Sequence, residues 1–340
     1  MPRVSKEKMT AYIVSCIDAG DRKYVYSDSV EASTKKTFTF VPYDKKLLRY
    51  AEDEFGTISD AFVLMAITSL GVADKNTIFL YLEALSRTDP NLQIADYVRY
   101  PAALGNRLSE LRKSGFLFCF EYKATMYEEG KTPWIVPNML YTVDQDGQNF
   151  CNSKLNNRMP FNQWIQAKQM NELLGWSAAT YCGVSLAHNA NFVAFEKGLF
   201  KSREIGSVFL PVELRFKKDD ALHYVAVLPS YVRFDDRIMS KQDYNNYRGM
   251  MIKVIGNYLQ RRSNGTLYVV VVVEDNNDLK GICNIIAGTG VFDGLLDRLF
   301  FTGEGAILHA DHPRKALLRM QVKEDHTYTL SAVEPEFMKD

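Results

Sequence analysis

Residues 100–115 combine an amide, a hydroxyl and several cations at the spacing of a single helix. With 100° between successive residues, Leu104, Leu108 and Leu111 lie within about 60° of one another and form an apolar stripe. The remaining positions place small or polar side chains opposite the stripe and an arginine at each edge: Ala102, Asn106, Ser109 and Lys113 on the face, Arg107 and Arg112 beside it. An asparagine amide can pair with adenine through two hydrogen bonds, and a cation can contact guanine or phosphate. The pattern indicates a helix whose outer face suits the major groove of DNA.

Further positive charge follows this helix. Lys123 and Lys131 fall between the next two predicted strands, where they add to the arginines and lysines of the helix. Clustered cations of this kind favour contact with phosphates. Four glutamates in the same region oppose that interpretation: Glu110, Glu121, Glu128 and Glu129. A surface helix that contacts another protein would show the same leucine stripe, so both kinds of partner stay open at this point.

The elements around the helix follow a recognisable order. Residues 58–70 predict a buried helix that ends at Gly71, and Asp74 or Asn76 can cap a second helix that stops at Asp89-Pro90. The third helix begins near Pro101, and strands are predicted over residues 116–122 and 139–143. Three helices followed by a two-stranded wing are the order of a winged helix. We assign residues 43–151 to this domain and residues 1–42 to an N-terminal arm. Residues 12–17 of the arm have an alternating pattern, which predicts an extended conformation.

The junction between the third helix and the first wing strand resembles that of bacterial winged-helix regulators. The string from Arg107 to Leu117 has a leucine-rich helix that ends in basic residues, then Gly115, then the aromatic Phe116. Glycine can adopt the left-handed conformation that ends a helix, and the aromatic residue can pack back under it. Tyr141-Thr142-Val143 with Gly147 is similar to the end of the same wing. The resemblance implies a winged helix-turn-helix that binds double-stranded DNA.

The second half of the chain has a different pattern. Helical patterning over residues 161–186 and 240–262 alternates with strands, the most apolar of which spans residues 267–274. Further strands are predicted near residues 299–302 and 306–308. This alternation predicts a mixed α/β sheet with helices on its faces over residues 160–310, followed by a C-terminal strand and tail over residues 311–340. The overall class is therefore α/β, or α+β when both halves are considered together.

A winged helix followed by this α/β segment resembles the replication-relaxation family of plasmid and integrative-element proteins. The similarity runs through residues 209–216, 223–227 and 267–274, and it implies a second domain like a restriction endonuclease. Such nucleases need two carboxylates to hold a divalent metal. Val212 stands where the first acid is expected, and Ala226 and Val227 stand where the second is expected. The resemblance therefore implies a degenerate nuclease domain with no metal site.

Other residues must carry any catalysis. The candidates are Glu196, Glu213 and Lys217, with Asp235 and Asp236 in reserve, although such charges at strand ends more often form solvated ion pairs. His309 and His312 beside Asp311 offer too few ligands for a typical zinc site. The five cysteines are scattered, which favours reduced packing thiols: Cys16, Cys119, Cys151, Cys182 and Cys283. We expect no catalytic residue, metal or cofactor.

Composition limits the function further. The chain of 340 residues has zero formal net charge, which argues against a generally basic nucleic-acid coat protein but permits one basic face. Residues 1–12 lack the apolar core typical of a signal peptide, and no apolar run is long enough to span a bilayer, so we expect a cytoplasmic protein. The leading hypothesis is a homodimeric DNA-binding regulator of a bacterial mobile element, whose α/β domain mediates dimerisation, contacts a protein partner or adds a further DNA contact. The rivals are a metal-dependent nuclease or nickase and a winged-helix protein adaptor.

Overall fold

The computed structural model describes residues 5–18, 22–23, 57–58, 60–88, 93–94, 101–113, 115–126, 134–154, 170–196, 212–230, 241–260, 265–290, 292 and 294–339. The chain forms two compact units. One comprises Arg22–Met170, and the other combines Met1–Asp21 with Asn171–Asp340. None of the helices in these ranges has the length and apolar character needed to cross a membrane.

The first described element belongs to the second unit and differs from the extended arm expected for residues 12–17. These residues lie in helix α1 (Lys6–Asp18). Ile13, Cys16 and Ile17 are buried, and their spacing of three and four residues places them on one helical face. The alternating pattern of residues 12–17 suggests a strand. Packing against the rest of the unit selects the helical period instead.

The unit Arg22–Met170 is a small mixed domain. In chain order its elements are β1 (Arg22–Lys23), β2 (Thr57–Ile58), α2 (Asp60–Leu70), β3 (Ala73–Asp74), α3 (Lys75–Thr88), β4 (Gln93–Ile94), α4 (Pro101–Lys113), β5 (Leu117–Met126), β6 (Trp134–Val143) and α5 (Gln145–Lys154). The main sheet has the order β1-β5-β6-β3 with antiparallel neighbours, and β2 pairs with β4 in parallel. Three helices thus precede a long hairpin, and β3 adds a further strand to that hairpin.

Local chemistry sets the ends of these helices as the sequence predicts. Gly71, with φ of 74°, follows α2, and Asp74 accepts a hydrogen bond from the Thr77 amide at 2.7 Å before α3. Gly115 has φ of 80° after α4, and the Phe116 amide donates to the Leu111 carbonyl at 3.0 Å. Phe116 is buried, as the left-handed cap and returning aromatic residue predict.

The unit with Asn171–Asp340 is built on one sheet of seven strands. Its elements after α1 are α6 (Met170–Leu186), β7 (Phe192–Glu196), β8 (Val212–Lys218), β9 (Ala221–Pro229), α7 (Lys241–Leu259), β10 (Thr266–Val273), α8 (Asn276–Thr289), β11 (Leu299–Gly303), α9 (Glu304–His309), β12 (Leu317–Val322) and β13 (Tyr328–Val333). The strand order is β13-β12-β11-β10-β9-β8-β7. Among the described neighbours in this sheet, β9 and β10 pair in parallel, as do β10 and β11, and the other pairs are antiparallel. Helix α7 lies between β9 and β10 in the chain, and α8 lies between β10 and β11. The α/β class is confirmed.

Two details of this unit differ from the sequence predictions. Residues 306–308, predicted as a strand, lie in α9, where Ala306 and Ile307 are buried. The segment 311–340 holds two strands, β12 and β13, which extend the same sheet instead of forming a separate strand and tail. The central strand β10 is buried from Val269 to Val273, as expected for a parallel strand covered on both faces.

Gly147 in α5 provides a test of how the hairpin and its following helix pack. A Cβ atom there would lie 2.2 Å from the Phe116 carbonyl oxygen and 2.9 Å from Val143 Cγ1. We predict that Gly147→Ala destabilises this unit by about 1–3 kcal/mol, the usual cost of overpacking, measured by chemical denaturation. Gly288→Ala is the control, because that exposed helical glycine has open space around it. Equal stability of the two variants would contradict the packing described here.

Candidate nucleic-acid interface

Helix α4 has one face that is fully buried. Leu104, Leu108 and Leu111 each have 0% of their surface exposed, as the predicted stripe requires. Gly115 and Phe116 close the end of the helix, so the hairpin β5–β6 begins directly beside it. Burying a leucine stabilises a fold by about 1.5–3 kcal/mol, so three buried leucines fix the rotation of this helix about its axis.

The opposite face of α4 is open to solvent. The exposed side chains are those proposed from the sequence: Ala102, Asn106, Ser109 and Lys113. They combine a methyl group, an amide, a hydroxyl and an ammonium group along one side of a helix of 13 residues. Such a face can offer hydrogen bonds to base edges without a bulky side chain that would keep the helix out of a groove.

The two arginines at the edges of this face are engaged within the protein. Arg107 Nη1 lies 2.5 Å from Glu110 Oε2, and only 14% of the Arg107 side chain is exposed. Arg112 is half-buried, with Nη1 3.9 Å from Met139 Sδ on β6. Glu110 offsets the charge of Arg107, so the edge of α4 that carries this pair is nearly neutral.

A lysine that sequence analysis missed lies against α4. Lys75, the first residue of α3, passes over Gly105, where an added Cβ would be 3.0 Å from Lys75 Cδ and 3.8 Å from its ammonium nitrogen. Gly105 lies toward the edge that carries Arg112, away from the Arg107–Glu110 pair. The missed signal was the glycine itself, because a glycine inside a helix often marks the close approach of another group.

The structure describes the backbone of only one of the two proposed wing lysines. Lys123 lies in β5 and pairs in register with Pro137 of β6. Lys131 lies outside the described residues, between the two strands of the hairpin.

Two of the candidates for catalysis in the other unit, Glu196 and Glu213, are opposite each other on neighbouring strands, and Lys217 lies further along β8. Glu213 is buried on β8 opposite Ala226, and Glu196 on β7 pairs in register with Glu213. Lys217 forms an exposed ion pair with Asp220 at 2.8 Å. Asp235 and Asp236 lie outside the described residues.

Metal-ligand chemistry gains no support from the residues that the structure describes. They contain no group of three or more His, Cys, Asp or Glu side chains placed to hold an ion, and His309, Asp311 and His312 are exposed.

All five cysteines are free and buried. Burial raises the pKa of Cys151 to about 11 and that of Cys283 to about 12, so these thiols remain protonated and unreactive at neutral pH.

The α/β unit contains a buried polar network that sequence analysis did not find. It lies at the carboxyl ends of β9 and β10. Asp278 of α8 is 2% exposed and accepts a hydrogen bond from Arg248 Nη2 at 3.0 Å. Its other oxygen accepts from the Glu274 amide at 3.2 Å and contacts the Ser230 hydroxyl. Gly281 leaves room for the Arg248 guanidinium, since a Cβ there would be 2.3 Å from Nη1. The network gives both carboxylate oxygens partners within the protein and ties α8 to α7 and to the ends of β9 and β10.

Comparisons with known proteins give no relative for this chain: no family model, no curated protein and no solved structure matches it. Its site must therefore be interpreted from its own residues.

The buried network predicts a large stability effect. Asp278→Ala removes the carboxylate that pairs with Arg248, and breaking a buried pair costs about 3–5 kcal/mol. Amide hydrogen exchange of β10 measures this effect in the α/β unit alone. Asp311→Ala, at an exposed aspartate, is the control and should change protection by less than about 0.5 kcal/mol. A loss no larger than that of the control would show that the network contributes little.

Proposed function

We propose that this protein is a sequence-specific DNA-binding protein and that α4 is its recognition helix. One observation carries the proposal: the three leucines of α4 are buried while Ala102, Asn106, Ser109 and Lys113 are all exposed on the opposite face. The helix is about 20 Å long at 1.5 Å per residue, and the major groove is wide enough to admit a helix.

The order of the surrounding elements supports a winged helix-turn-helix. Helices α2, α3 and α4 precede the hairpin β5–β6, and β3, between the first two helices, pairs with β6. In this arrangement α4 is the third helix, and its outer face approaches base edges while the hairpin contacts the backbone as a wing.

The distribution of charge supports contact with phosphates on one side of α4. Lys113 is exposed near the end of the helix, and Lys75 lies over Gly105 on the edge away from the Arg107–Glu110 pair. A neutral protein with cations concentrated in this way binds DNA through local contacts, and that binding weakens as salt rises. We therefore add Lys75 to the residues proposed from the sequence, and we assign Arg107 to positioning rather than base contact.

The α/β unit is assigned to assembly in this proposal. Helix-turn-helix proteins commonly bind two half-sites as homodimers, so the unit would hold two copies together or recruit a protein partner. The resemblance to replication-relaxation proteins favours control of replication, transfer or transcription of a mobile element. Hydrophobic Val212 packs against Gly183, and Ala226 is buried, so neither supplies the acidic ligand that a nuclease would need at these positions.

Selection of bound duplexes from a random-sequence library, with and without Mg²⁺, tests the proposal against its rivals. We expect an enriched sequence, retention that falls with salt, and no cleavage. Mg²⁺-dependent cleavage that is lost in Glu213→Ala would support a nuclease instead. An absence of salt-dependent retention on any duplex would favour a protein adaptor.

Asn106→Ala tests direct recognition of bases. Loss of a bidentate contact to adenine should weaken binding to the selected duplex by about 1–3 kcal/mol, with the loss confined to one or two base positions. Asn284→Ala on α8, at another exposed helical asparagine, is the matched control and should leave affinity unchanged. Competition binding with singly substituted duplexes measures both. Unchanged affinity and base preference in Asn106→Ala would remove this residue from the interface.

Lys75→Ala tests contact with phosphate. Removing one phosphate contact should weaken binding to all duplexes and reduce the slope of log affinity against log salt by about 0.9. The exposed Lys280 of α8 provides the control variant Lys280→Ala, for which we expect the wild-type slope. A slope unchanged in Lys75→Ala would place this lysine away from the DNA. Lys113→Ala in the same series distinguishes phosphate contact, which is uniform across sequences, from base contact.

A further inference from the structure

A short segment after β13 is docked on the α/β unit through one aromatic side chain. Phe337, in the 3-10 helix Glu336–Met338, is 3% exposed. Its ring lies 4.9 Å from the ring of His223 at an interplanar angle of 13°, 4.5 Å from that of Tyr268 and 5.5 Å from that of Phe216. These three side chains, from β9, β10 and β8, form what we call the aromatic slot.

Three polar side chains hold the main chain of the same segment. Asn191 Nδ2 donates to the Phe337 carbonyl at 3.1 Å and to the Lys339 carbonyl at 2.8 Å. Asn189 Nδ2 donates to the Met338 carbonyl at 2.6 Å, and Lys218 Nζ donates to the Lys339 carbonyl at 2.6 Å. We call Asn189, Asn191 and Lys218 the carbonyl clamp. Three successive carbonyls are therefore bound by side chains that lie more than a hundred residues earlier in the chain.

The segment does not belong to the hydrogen-bonded ladder of the sheet. The Met338 amide donates locally to the Pro335 carbonyl, and the Lys339 amide donates to the Glu336 carbonyl. An aromatic anchor in a pocket, together with side-chain donors to successive backbone carbonyls, is the chemistry by which proteins bind peptides. Backbone carbonyls are common to all sequences, so the anchor is the part that sets specificity.

The docked state also leaves one polar atom of the slot without a partner. His223 Nδ1 is buried and has no hydrogen-bond partner among the described residues. A buried polar atom of this kind raises the free energy of the closed state, and water can satisfy it when the segment leaves. This cost favours a segment that can detach over one that is a permanent part of the core.

We propose that the aromatic slot and the carbonyl clamp form a peptide-binding site and that the segment Pro335–Lys339 occupies it as an intramolecular ligand. The ligand class is a peptide with an aromatic residue followed by two residues whose carbonyls reach the clamp. A partner protein carrying such a peptide competes with the segment. A ligand joined by a short linker has an effective concentration in the millimolar range, so the segment keeps weak competitors out.

Hydrogen exchange on the unmodified chain tests whether the segment detaches by itself. The amides of Met338 and Lys339 should exchange at least about 100-fold faster than those of Val227 and Val270 in the sheet, because local release exposes only the segment. Exchange of all four amides at one rate, through unfolding of the whole sheet, would overturn the proposal.

Binding in trans tests the site itself. Phe337→Ala in the full chain weakens the internal ligand, and a labelled synthetic peptide with the sequence of residues 334–339 is then added. We expect fluorescence anisotropy to show binding to this variant at least about 10-fold tighter than to the wild-type chain. The same peptide with alanine in place of its phenylalanine should not bind, and Asn191→Ala added to the variant should weaken binding at least about 10-fold, the effect of losing two hydrogen bonds.

Two results of the binding experiment would overturn the proposal. A Phe337→Ala chain that keeps its circular dichroism and sheet protection but binds no peptide at millimolar concentration would show that the slot is only part of the core. Equal binding of the alanine-substituted peptide would show that the aromatic slot does not select its ligand. Where the variant does not fold, the exchange experiment on the unmodified chain still overturns the proposal if the segment opens only together with the sheet.

Discussion

The burial of Leu104, Leu108 and Leu111 fixes how α4 is rotated, and the proposed DNA contact depends on that rotation. An amphipathic surface helix buries one apolar stripe against its neighbours, so the residues opposite that stripe face solvent. Exposing the leucines in order to hide Asn106 would forfeit several kcal/mol of hydrophobic stabilisation. The interior of the domain therefore determines which face of α4 is exposed, and the proposed base-reading role rests on the side-chain chemistry of that face.

The same constraint explains why this part of the chain is predictable. The period of the leucines, the cap at Asp74 and the left-handed Gly115 are local features, and the structure follows each of them. A local pattern does not distinguish a helix from a strand where the segment fits the period of both. Residues 12–17 alternate like a strand yet place three buried side chains on one face of α1. The segment 306–308 is likewise too short for its apolar pattern to distinguish a strand from the helix α9 that it forms.

Contacts between distant residues lie beyond such patterns. Lys75 meets Gly105 only when α3 packs on α4, and Arg248 meets Asp278 only when the parallel strands bring α7 and α8 together. The sequence separation of the two residues does not predict the contact in either pair. Both pairs change the chemical interpretation: the first adds a cation beside α4, and the second links α7 to α8 through a buried ion pair.

Cleavage from a tethered reagent tests the central claim most directly. The five natural cysteines are buried, so Ser109→Cys introduces an exposed thiol on α4 that can carry an iron-EDTA group. Bound to its selected duplex, this protein should cut both strands within the binding site, because the proposed recognition helix would hold position 109 in the groove. Thr289→Cys on α8 is the matched control. Equal cutting from both positions, or none from position 109 on fully bound DNA, would contradict the account.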